Sequence, residues 1–162
     1  MKKLFLIRHA KSSWDDADLD DFERPLNKRG LKDAPKMGKR LKMRKIYPDM
    51  ILSSSAIRAK TTANLVCDEL KYESKFVLLD ELYHASENKI SDILRQTPDE
   101  VETIFLFGHN PGFNEFASKY LEFYENIPTC GVLEILFDVQ KWDEITPENC
   151  TFVSFDFPKN SI

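Results

Sequence analysis

The chain opens on a short unbroken apolar run, Leu4-Phe5-Leu6-Ile7, which Arg8 and His9 end abruptly. A run without polar alternation suits a strand covered on both faces, so this segment is expected to lie centrally in a sheet between helices. Comparable runs recur at Met50 to Leu52, Phe76 to Leu79 and Ile104 to Phe107. The segments between them have lengths and apolar spacings that suit helices. Asn27 can cap a helix reaching about Lys45, with Leu31, Ala34, Met37, Gly38, Leu41 and Ile46 along one face and Pro35 as a possible kink. Further helices are expected over Ile57 to Leu70, over Lys89 to Gln96, and from about Phe113, with Phe116, Ala117 and Tyr120 turned inward. Two later apolar stretches, Val132 to Val139 and Phe152 to Phe157, read as strands near one side of the sheet. This alternation predicts an α/β fold with much parallel pairing, in a single domain spanning residues 1–162.

Composition adds only exclusions. Acidic residues outnumber basic ones, 27 to 23, so no domain-wide electrostatic case for nucleic-acid binding exists. Ten Lys or Arg do crowd the stretch from Arg24 to Lys45, just after the acidic run Asp15 to Glu23, which predicts a solvated helix face beside an acidic loop. Cys67, Cys130 and Cys150 are odd in number and far apart, which predicts reduced thiols and a cytoplasmic protein. The first apolar run is too short for a signal peptide, and no stretch is long enough to cross a bilayer.

Three polar groups stand immediately after predicted buried strands: Arg8-His9, the Ser53-Ser54-Ser55-Ala56-Ile57-Arg58 turn, and Gly108-His109-Asn110. Ligands of open α/β sheets bind beyond the carboxyl ends of the strands, so the three should converge on one crevice. Two guanidiniums there, Arg8 and Arg58, would match the oxygens of a phosphoryl dianion. The serine-rich turn adds hydroxyl and backbone N–H donors near a helix start. A neutral histidine can attack phosphorus through one ring nitrogen while the other gives its proton to a fixed acceptor, and His9 is the candidate nucleophile. His109 is the candidate donor to the phosphoryl oxygens. Ser12 follows closely enough to touch substrate. Taken singly, an Arg-His pair or a histidine at a strand end is more often structural, so it is the joint placement that carries information.

The segments Leu6-Ile7-Arg8-His9-Ala10, Ser53-Ser54-Ser55-Ala56-Ile57-Arg58-Ala59-Lys60-Thr61-Thr62-Ala63 and Phe107-Gly108-His109-Asn110-Pro111-Gly112 resemble the histidine phosphatase (phosphoglycerate mutase-like) superfamily. Arg8-His9-Ala10-Lys11-Ser12-Ser13-Trp14, followed by Arg24-Pro25-Leu26-Asn27-Lys28-Arg29-Gly30, resembles its SixA-type phosphohistidine phosphatase branch. The resemblance implies a three-layer α/β/α sandwich with a mostly parallel central sheet. It implies transient phosphorylation of His9, a phosphate pocket completed by Arg8, Arg58 and His109, and neither metal nor organic cofactor. Larger members carry an acid after a middle strand that protonates the leaving group. Glu81, in Asp80-Glu81-Leu82-Tyr83-His84-Ala85, matches that place, with a plain loop charge as the alternative. His84 reads as a loop residue without a catalytic task, and Trp14 with the acidic run as either a flap or a surface loop.

The expected function is a metal-independent phosphatase acting through His9. Its expected substrate is phosphohistidine on a protein, because the stretch from Asp68 to Glu102 leaves little chain for a lid over a small metabolite. Small phosphomonoesters are the alternative within the same class. Mutase activity is less expected, since it calls for a site closed to water. A noncatalytic phosphate-binding module and a metal hydrolase built on His9, His84 and His109 are the readings from other classes. A monomer is expected, with no nucleic-acid or membrane partner.

Overall fold

The computed structural model describes residues 1–73 and 75–161. Six strands form one sheet: β1 (Lys2–Arg8), β2 (Met50–Ser54), β3 (Lys75–Leu79), β4 (Thr103–Gly108), β5 (Val132–Phe137) and β6 (Cys150–Asp156). Their spatial order is β3-β2-β4-β1-β5-β6; the first four are mutually parallel, and β5 and β6 run antiparallel at one side. Four helices cover the sheet: α1 (Lys28–Met43), α2 (Ile57–Leu70), α3 (Glu87–Arg95) and α4 (Gly112–Leu121).

Side chains alternate across a strand, and the buried strands supply one core to each face. Phe5, Ile7, Ile51, Phe105 and Phe107 meet Ala34, Met37 and Leu41 of α1 and Ala63, Val66 and Leu70 of α2. Leu4, Leu6, Leu52, Ile104 and Leu106 meet Ile90 and Leu94 of α3 and Phe113, Phe116 and Tyr120 of α4. The result is a three-layer α/β/α sandwich. A fully buried Leu, Ile or Phe contributes about 1.5–3 kcal/mol relative to an exposed one, so these two layers dominate the stability.

Several expectations need correction. β3 is not a covered strand: Val77 and Leu78 are exposed, because β3 is the sheet's edge and pairs only with β2. Phe152 and Val153 of β6 are exposed for the same reason at the opposite edge. Leu31 is half exposed rather than inward, and Asp33 takes a buried place on α1. α1 runs through Pro35 as one helix, ends at Met43, and is capped at its start by the Asn27 side chain accepting from the Gly30 N–H.

One feature of this wiring positions the site. β1 and β4 are neighbours in register, Arg8 opposite Gly108, yet the chain leaves β1 toward α1 on one face and leaves β4 toward α4 on the other. Where successive connections depart to opposite faces, a crevice opens at the carboxyl ends of the strands. His9 and His109 are the next residues on these two strands.

Candidate active site

The His9 N–H donates to the Gly108 carbonyl (3.1 Å), extending the β1–β4 ladder by one step and bringing the two imidazole rings to 5.2 Å between centroids. His9 Nδ1 lies 2.8 Å from the Ala10 carbonyl oxygen. A carbonyl can only accept, so Nδ1 carries the proton and Nε2 keeps its lone pair. The Ala10 N–H is itself held by Thr62 Oγ1 (2.9 Å), which donates to the Arg58 carbonyl (2.7 Å), so α2 fixes the turn that bears His9.

A cavity of about 270 Å³ opens here, with Arg8, His9, Lys11, Ser12, Arg58 and His109 in its wall. Arg8 Nη1 donates to the Ile127 carbonyl (2.9 Å). Arg58 is gripped by Asp21: Nη1 donates to the Asp21 backbone oxygen (2.6 Å) and Nη2 to Oδ2 (2.9 Å). A third guanidinium, Arg24, reaches the cavity as well. It donates to Ser12 Oγ and to Asp21 Oδ1 (3.2 Å), and lies 3.4 Å above the Trp14 ring. Its segment is delivered by close packing: the Asn27 N–H donates to the Lys11 carbonyl, and a methyl group on Gly30 would fall 2.2 Å from that same oxygen. His109 Nε2 pairs with Ser54 Oγ at 2.8 Å.

What these groups lack is as informative as what they have. The Nε of Arg8, Arg24 and Arg58 and the Nδ1 of His109 are buried and, among the described residues, have no hydrogen-bond partner. Three guanidiniums held around one cavity are suited to an anion. Among the described residues lining it, Arg8, Lys11, Arg24 and Arg58 face one carboxylate, Asp21. The Tyr83 hydroxyl and the Arg58 and Arg24 guanidiniums hold that carboxyl below its ordinary range. Burial is the main reason both histidines are poor bases: His9 falls to about 4, helped by the charges of Arg58, Arg8 and Arg24, and His109 to about 3, helped by His9 and Arg58. Both rings are therefore neutral near pH 7, and His9 is in the form that can attack.

The model of the histidine phosphatase superfamily (branch 1) matches residues 4–126. The chain belongs to the histidine phosphatase superfamily. An uncharacterized chloroplast protein of Arabidopsis thaliana is 30% identical over 152 residues, covering 88% of this chain and 70% of that protein. Phosphoglycerate mutase 1 of Saccharomyces cerevisiae is 30% identical over 122 residues, covering 74% of this chain; the chain spans only 47% of the length of that enzyme. A solved structure from Agrobacterium tumefaciens, described as a candidate phosphohistidine phosphatase SixA, superposes with a TM-score of 0.82 at 27% identity, covering 97% of this chain and 98% of the other. The protein histidine phosphatase SixA complexed with tungstate superposes with a TM-score of 0.83 at 24% identity, covering 96% and 97%, a likeness of fold.

Of the residues expected from sequence, the structure brings Arg8, His9, Ser12, Arg58 and His109 to one cavity. It does not bring Glu81 there. That side chain is 59% exposed, stands 3.9 Å from Lys89, and borders a separate depression with Met50, Leu52 and Ile93. His84, read as a bystander, lines the cavity instead. Asp21, Arg24, Ser54 and Tyr83 were missed as site residues. Arg24 had a signal in the Arg24-Pro25-Leu26-Asn27 stretch; Asp21 had none, being one aspartate in a run of them.

Proposed function

We propose that this protein is a metal-independent phosphatase that forms a phosphohistidine on His9, and that its substrate is phosphohistidine carried by a protein. The observation that carries the reading is the fixed His9 tautomer, with Nε2 unprotonated in a cavity that Arg8, Arg24 and Arg58 also line. The phosphoryl group sits among Arg8, Arg24 and Arg58, and His9 Nε2 attacks phosphorus in line with the leaving nitrogen. Ser54 Oγ accepts from the Ala56 N–H (3.2 Å) and has a proton that it can donate to His109 Nε2, which selects one of the two tautomers open to that ring. That tautomer places the remaining ring proton on Nδ1, as a donor to the phosphoryl oxygens whose negative charge the site must hold. Water then attacks the phosphorus of phospho-His9, breaking the P–N bond and releasing phosphate. Positive side chains occupy the positions where metal ligands would have to lie, and they repel a cation.

The substrate class is supported by the open mouth of the cavity, where Trp14 is 73% exposed and His84 is exposed, and by likeness to SixA proteins, one of them complexed with the tetrahedral oxyanion tungstate. An imidazole already protonated on its distal nitrogen leaves as a neutral ring, so a phosphohistidine donor needs no acid at the Glu81 position. Incubation with labelled phosphoramidate should leave acid-labile, base-stable phosphate on the wild type and none on His9→Ala, whose circular dichroism stays unchanged. A phosphohistidine-bearing protein should be turned over faster than small phosphate esters. An unlabelled wild type, or a fully active His9→Ala variant, overturns the mechanism; preference for the esters overturns the substrate class.

A further inference from the structure

His9, His109 and the arginines supply a nucleophile and positive charge, but no proton for a leaving group. In-line attack expels that group on the side of phosphorus opposite His9. A departing imidazole needs no proton there, whereas the oxygen of a phosphomonoester does. Three lining residues could in principle carry one: Lys11, Asp21 and His84. Asp21 is held ionised by two guanidiniums and accepts from the Tyr83 hydroxyl, so it has no proton to give. An ammonium is a side-chain type that keeps its proton far above neutral pH, while imidazole is the type that both gives and takes one near neutrality.

His84 is also built into place. Its φ of 60° lies in the left-handed region, an uncommon conformation for a non-glycine residue and one that tends to collect at functional sites. Its ring lies against Tyr83, tilted by 37° with centroids 3.9 Å apart, and Tyr83 in turn meets the His109 ring edge-on at 5.6 Å. The turn is pinned from behind, since a methyl group on Gly112 would fall 2.1 Å from the Ala85 carbonyl oxygen. These contacts hold an exposed imidazole in the wall of the cavity.

We propose that His84 is the proton carrier of this site, extending its chemistry from phosphoramidates to oxygen phosphomonoesters. The proposal rests on the reading of His9 as phosphoryl acceptor. In the first step the bond from phosphorus to the ester oxygen breaks as the bond to His9 Nε2 forms, and protonated His84 gives its proton to that oxygen, releasing an alcohol. In the second, neutral His84 takes a proton from water as the water oxygen bonds to phosphorus and the P–N bond breaks, which restores protonated His84 and neutral His9 and frees phosphate.

The test compares phenyl phosphate, whose leaving oxygen needs a proton, with phosphoramidate, whose nitrogen leaves as neutral ammonia, in the wild type, His84→Asn and His84→Gly. Glycine and asparagine both accept a left-handed backbone, so the turn is kept. The ratio of phenyl phosphate to phosphoramidate turnover should fall about 100-fold in both variants, the lower end of what a positioned general acid supplies. A ratio equal to that of the wild type overturns the proposal, as does a fall seen in Lys11→Met and not in the His84 variants. A wild type that forms no phospho-His9 from phosphoramidate overturns the parent reading, and the proposal with it.

Discussion

Placing two neutral histidines in a buried, positively charged crevice ties folding to pH in a way that can be worked from the structure. An unfolded histidine protonates near 6.5, whereas His9 and His109 in the fold resist protonation until about 4 and about 3. Below 6.5 the unfolded chain therefore binds protons that the folded chain refuses, and stability falls as pH falls, by about 1.4 kcal/mol per pH unit for each ring. The contribution is intact above pH 6.5, is lost progressively below it, and levels off only beneath the folded values. Between pH 7 and pH 5 each ring costs about 2 kcal/mol, so the pair costs about 4 kcal/mol. At a urea slope of about 2 kcal/mol per molar, that is roughly 2 M in the unfolding midpoint. The assay is urea unfolding followed by circular dichroism at both pH values, for the wild type and for His9→Asn with His109→Asn. Asn does not titrate, so the double variant should lose about 4 kcal/mol less on acidification, whatever its stability at pH 7. Equal pH dependence in the two proteins would refute the claim that these rings are buried neutral.

Other consequences follow from the same geometry. Arg58→Ala removes the guanidinium that Asp21 presents to the cavity. Inhibition by tungstate or phosphate should weaken by about 10- to 100-fold, as expected for loss of a charged hydrogen bond, with circular dichroism unchanged; unaltered inhibition would place the anion elsewhere. Gly112→Ala drives a methyl group into the Ala85 carbonyl, where backbone must move. It should destabilise by about 1–3 kcal/mol and lower the melting temperature by roughly 5 °C in a scanning fluorimetry measurement, and a melting temperature equal to that of the wild type would show that the two segments are not in contact.

Much of this architecture was legible because the signals were local. Unbroken apolar runs gave β1, β2 and β4, and the Asn27 cap marked the start of α1 within a residue. The same signal failed at β3, since an apolar run cannot say whether a strand has two neighbours or one, and Val77 and Leu78 ended on an exposed edge. Arg8, His9, Arg58 and His109 were legible because Arg8 ends β1, His9 and His109 directly follow β1 and β4, and Arg58 stands in the first turn of α2 just past β2. Glu81 was misplaced toward the site by the opposite circumstance: its position along the chain is suitable, but the turn sends Leu82 into the core and His84 to the cavity wall and leaves the Glu81 side chain beside Lys89.

The sequence alone determined an α/β fold with much parallel pairing, the pair of strands whose ends carry His9 and His109, and the arginines that give the cavity its sign, because strand period and strand-end chemistry are properties of neighbouring residues; the three-layer sandwich came from the family resemblance. Only the tertiary structure decided which nitrogen of His9 keeps its lone pair, that Arg24 joins the cavity from a segment packed on Lys11, and that Asp21 rather than Glu81 is its carboxylate. Those outcomes depend on contacts between residues far apart in the chain, such as the 37 residues separating Asp21 from Arg58, and pattern along a chain carries no distance in space.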